Sequence, residues 1–61
     1  MYVCRERAEV VEVTDLGLVV EYDGGSSQTI PRALHRDARA GEQVVVVRDG
    51  DGWGSRILRV E

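Results

Sequence analysis

The chain reads as all-β: a small five-stranded barrel of OB or SH3-like type, with one short helical turn between strands 3 and 4. Three observations carry that reading. Valine supplies 11 of the 61 residues against four Leu, two Ile and no Phe, a β-branched bias that suits strands. Turn signals recur at Asp15-Leu16-Gly17, Asp23-Gly24-Gly25-Ser26-Ser27 and Asp49-Gly50-Asp51-Gly52, leaving room only for short elements between them. The valine run at 44–47 fits a strand buried on both faces, as in a closed barrel.

The first strand is expected over 8–14, with Val11 and Val13 sharing a face. The second, 18–23, alternates cleanly: Leu18, Val20 and Tyr22 point one way, Glu21 and Asp23 the other. The glycine turn after it returns the chain antiparallel through 28–30, and Pro31, which has no N–H to donate, ends that strand or holds it at an edge. Residues 32–40 are the one stretch with helical character, a turn or two at most, stopped by Gly41. Strand 4 follows at 43–48, and the last strand is Arg56–Val60. Nearly every apolar residue is thereby assigned to closing the barrel, and 1–61 is one domain.

Size and charge narrow the function. A core built from 6.8 kDa of chain has little packing to give up to a cavity of about 300 Å³, the lower range for small-molecule sites, so the chain is not expected to be an enzyme and no cofactor is expected. Net charge is −3: residues 1–30 carry −4, from two Arg against six acids, and residues 31–61 carry +1, from six Arg against five acids. Nucleic-acid binders usually carry a basic excess, so the balance disfavours that partner. Cys4 is the only cysteine and no apolar run approaches the ~18 residues of a spanning helix. With no hydrophobic signal region at the amino terminus, the expected location is a reducing compartment, the cytoplasm, away from membranes.

Candidate functional residues divide by chemistry. Cys4 beside Arg5 is a candidate partner contact, because neighbouring cations favour the reactive thiolate; Tyr22 and Trp53 are candidate hydrophobic anchors for a protein partner. The alternative is single-stranded nucleic acid held by Arg32, Arg36, Arg39, Arg48, Arg56 and Arg59 around Trp53. A third reading is a metal or small-molecule binder using Cys4 and His35, two potential ligands. Asp49-Gly50-Asp51-Gly52 lacks the Glu that closes a calcium loop, since position twelve is Val60, and reads as a hairpin turn. Strands 28–30 and Arg56–Val60 are the two edges through which an open barrel would pair, giving a monomer or a homodimer.

Cys4, then Val10-Val11-Glu12-Val13, Leu18-Val19-Val20, Ala33-Leu34, Asp37-Ala38-Arg39-Ala40-Gly41-Glu42 and the valines 44–47 together resemble the HypC/HupF family of hydrogenase-maturation chaperones over most of the chain. That resemblance implies an OB-like barrel that docks on a protein partner during metalloenzyme assembly. In that family the Cys directly follows the initiator Met, whereas here Tyr2 and Val3 precede Cys4. A His is expected where this chain has Arg48, and a guanidinium is a poor metal ligand. The second half, from Gly41 through Val47 to Arg56-Ile57-Leu58, is similar to bacterial translation initiation factor one, whose barrels bind ribosomal RNA.

Overall fold

The computed structural model describes residues 3–50 and 55–61 and contains five antiparallel strands and one 3-10 turn. In chain order these are β1 (Val3–Thr14), β2 (Gly17–Tyr22), β3 (Ser27–Pro31), the 3-10 turn η1 (Arg32–Leu34), β4 (Gln43–Asp49) and β5 (Arg56–Val60). The strands form one sheet in the order β3-β2-β1-β4-β5. β4 returns by the longest connection to lie beside β1, which is a Greek-key arrangement. The predicted all-β class, strand count and single helical turn are observed. The barrel is a curled half-barrel, however, and among the described residues no β3–β5 ladder closes it.

The inner face follows from strand alternation. Ala8 and Val10 on β1, Leu18 and Val20 on β2, Ile30 on β3, Val44 and Val46 on β4, and Val60 on β5 form one buried cluster. Tyr22, Leu34, Ala38 and Ile57 pack around its margin. The four-valine run divides as its period requires: Val44 and Val46 enter this cluster, while Val47 is buried on the opposite face between Arg5 and Arg59 in register. That strand is covered on both sides, as its composition suggested.

Two sequence expectations are corrected. β1 begins at Val3 and not at residue 8, so Cys4 lies inside a strand, opposite Arg48. The helical stretch over 32–40 shrinks to Arg32–Leu34, because His35 is already extended at φ −130° and ψ 154°. So short a piece lacks the length to propagate. Leu34 nevertheless packs on the core and η1 lies against β5, so the turn bridges the side that the ladder leaves open.

β1 is longer than its partners. Its ladder with β4 stops at Glu9↔Gln43, while its ladder with β2 continues to Thr14↔Gly17. A bulge between Val10 and Glu12 breaks the register where this overhang begins. The β1–β2 hairpin therefore projects past β4, paired on one side only.

Candidate functional site

Two places concentrate chemistry that the core does not absorb. The first is a polar cluster at one end of the inner face, centred on Arg48. Register puts Arg48 on the same face as Val44 and Val46, with Cys4 opposite it on β1. In a flat sheet β4 and β3 would stand three strand spacings, about 14 Å, apart. Here the curl brings them together: Arg48 Nη2 donates to Gln28 Oε1 on β3 at 2.6 Å and to the Tyr22 hydroxyl on β2 at 2.7 Å. Its Nε donates to Glu6 Oε1 on β1 at 2.7 Å, and Nη1 reaches Ser55 Oγ at 3.4 Å. The Tyr22 hydroxyl donates in turn to Gln28 Oε1 at 2.8 Å, and the guanidinium carbon lies 5.3 Å from the Tyr22 ring centre.

A planar fork of fixed donors suits this bridging task, which a lysine point charge could not reproduce. The Arg48 side chain is only 14% exposed, so its charge is held inside the fold. Burial pushes the Tyr22 phenol above its ordinary 10.0, with Arg48 pulling it partly back. The cluster is a clamp tying β4 across β1 to β2 and β3, two strands with which it shares no backbone ladder among the described residues.

The second place is the hairpin tip. Val11, Val13 and Leu16 are 46%, 51% and 79% exposed. Thr14 fixes the turn that carries them, its Oγ1 donating to the Gly17 carbonyl at 3.1 Å and accepting from the Leu16 N–H at 3.2 Å. Gly17 is required there. Its φ is +147°, and a Cβ would lie 1.8 Å from the Ile30 carbonyl oxygen. The tip is an ordered apolar projection, flanked by exposed Glu12 and Asp15. Sequence reading put Val11 and Val13 on one face of the first strand and Leu16 in the turn after it. The bulge between Val10 and Glu12 breaks that shared phase. The overlooked signal was Leu16 itself, a large apolar residue at the centre of a tight turn.

The structure does not gather the sequence-predicted residues into one site. Cys4 and Tyr22 both neighbour Arg48, Cys4 half-buried and Tyr22 engaged through its hydroxyl. Arg5 lies on the other face, 3.6 Å from Glu61, which Arg59 also holds at 2.7 Å. Hydrogen bonding from Arg59 sets the Glu61 carboxyl below its usual 4.5. Arg36 binds Glu42 at 2.7 Å and lowers that carboxyl likewise, helped by the Arg39 backbone N–H. Thus Arg36, Arg48 and Arg59 of the proposed nucleic-acid set are engaged with carboxylates, while Arg32, Arg39 and Arg56 are exposed. Trp53 lies outside the described residues. His35 Nδ1 lies 2.7 Å from the Arg36 carbonyl, and its Nε2 is buried without a partner among the described residues. No group of three or more metal-ligating side chains occurs among the described residues.

A groove of about 200 Å³, lined by Arg7, Gln43, Val44, Val45 and Glu61, lies beside the end of β5. It is smaller than the clefts that hold drug-sized ligands. No helix among the described residues is long and apolar enough to cross a membrane. Comparison with protein-family models, with curated proteins and with solved structures finds no match.

Proposed function

We propose that the chain is a non-enzymatic protein-binding module that docks through the β1–β2 hairpin tip. In its fuller form it is an assembly or maturation chaperone of the kind the HypC/HupF resemblance implies. The observation that carries the reading is an ordered projection bearing Val11, Val13 and Leu16 in solvent. Preordering reduces the entropy lost on docking. Covering the exposed parts of these three side chains returns on the order of 3 kcal/mol, about a hundredfold in affinity.

The test is affinity capture with the intact chain and with a Val13→Ser, Leu16→Ser double variant, scoring a partner identified with the unmodified chain. The variant is expected to lose that partner while keeping most of its melting temperature, because Leu16 is largely and Val13 half in water. Undiminished capture of the same partner overturns the assignment to the tip. A Cys4→Ser variant run alongside separates the thiol from the tip, since Cys4 lies in β1 opposite Arg48.

A further inference from the structure

We propose that the chain pairs with a second copy of itself through the β3 edge, two β3 strands joining antiparallel about a two-fold axis. The inference rests on backbone phase and is independent of the hairpin tip.

The Tyr22 N–H donates to the Ser26 carbonyl at 2.8 Å, and the Gly25 N–H to the Tyr22 carbonyl at 2.9 Å. Tyr22 and Ser26 are therefore a bonded pair, and alternation makes Val20↔Gln28 and Leu18↔Ile30 the next bonded pairs along the printed register. Ser27, Thr29 and Pro31 then direct their backbone groups away from β2. All three residues are exposed, and those groups have no backbone partner among the described residues. The other edge differs. On β5 the bonded pair Val45↔Glu61 makes Val60 the outward residue, but Val60 is only 6% exposed and η1 lies against that strand. β5 also carries Arg56 and Arg59, and charges blunt an edge.

β3 (SQTIP) has no charged residue, so two copies meet there without like charges in direct opposition. Ser27 and Thr29 each offer an N–H and a C=O, and Pro31 offers a C=O alone. A two-fold pairing centred on either Gln28 or Thr29 closes about four backbone hydrogen bonds. The edge complements itself, and Pro31 ends the pairing.

The experiment is sedimentation of the full chain from micromolar to millimolar concentration, with amide exchange followed at Ser27 and Thr29. The mass should rise from 6.8 kDa toward twice that value, and both amides should exchange more slowly as it does. Thr29→Pro removes an N–H that the β2 ladder does not use, so the variant is expected to fold and to associate about tenfold more weakly or worse. If that variant fails to fold, exchange at Ser27 and Thr29 in the unmodified chain decides. A constant 6.8 kDa at every concentration, dimerisation undiminished in a folded Thr29→Pro chain, or a rising mass with unchanged exchange at both amides each overturns the proposal.

Discussion

Replacing Arg48 with Ala tests the claim that a side-chain clamp does what a missing ladder does not. The Arg48 side chain is 14% exposed and its guanidinium donates to Tyr22, Gln28, Glu6 and Ser55. The Glu6 side chain is 44% exposed, so solvent screening leaves that ion pair at most about 1 kcal/mol. Charge-assisted bonds to neutral acceptors are stronger, about 1.5–3 kcal/mol in general. Here each is worth about 1 kcal/mol, below that range, because Tyr22 and Gln28 keep their mutual bond when Arg48 is gone. The loss comes to about 2–3 kcal/mol, against about 3–9 kcal/mol of total stability for a chain of this length. In a small domain this lowers the melting temperature by about 10–20 °C. Urea unfolding followed by far-ultraviolet circular dichroism reads it directly. Arg48→Lys should lose most of the same amount, since an ammonium cannot hold both acceptors and Glu6 in one plane. A cost below about 0.5 kcal/mol, the ordinary range for surface substitutions, refutes the clamp. So does a double-mutant cycle with Tyr22→Phe that shows no coupling.

Gly17→Ala should cost about 3 kcal/mol or more, because the new Cβ meets the Ile30 carbonyl at 1.8 Å in a backbone at φ +147°. Gly24→Ala, with nothing within 4 Å of the added carbon, is the matched control; equal effects in the two would refute the close-approach argument. On the alkaline side, burial holds the Tyr22 phenol above 10.0, so the folded state keeps its proton where the unfolded chain has lost it. The stability linked to this group is intact below pH 10 and falls as pH rises through the folded value. In a Tyr2→Phe background, ultraviolet titration of tyrosinate should give a midpoint above 10.0, and Tyr22→Phe should flatten the alkaline loss.

The core was largely legible in the sequence because it obeys a period of two. Leu18, Val20 and Tyr22 alternate in print as they do in space, and the valines at 44–47 announce a strand covered on both faces. Legibility failed first at β1, where the bulge between Val10 and Glu12 shifts the phase. Past it Val13 stands opposite Leu18 on the inward side, yet it lies beyond the end of β4 and remains half in water. No local pattern reports where a neighbouring strand stops. The Arg48 clamp was hidden for a related reason. Arg48 and Gln28 are 20 residues apart in sequence and on non-adjacent strands, so only the curl of the sheet brings them within 2.6 Å. Read singly, Arg48 looked like a cation available to phosphate.

That reassignment changes which surfaces have chemistry to spare. Arg48 and Tyr22 satisfy one another, and Arg5 and Arg59 meet on Glu61. Two kinds of unused group among the described residues suit docking: apolar side chains at the hairpin tip and backbone donors and acceptors along β3. These attract different partners, the first through burial of apolar area and the second through strand pairing. They are also separable by substitution. Val13→Ser with Leu16→Ser leaves Ser27 and Thr29 untouched, while Thr29→Pro leaves the tip untouched. If docking through the tip and self-pairing through β3 are independent, each variant abolishes one association and spares the other. Loss of both in either variant would mean that the projecting hairpin and the β3 edge form one continuous contact, with the dimer as the unit that recognises the partner.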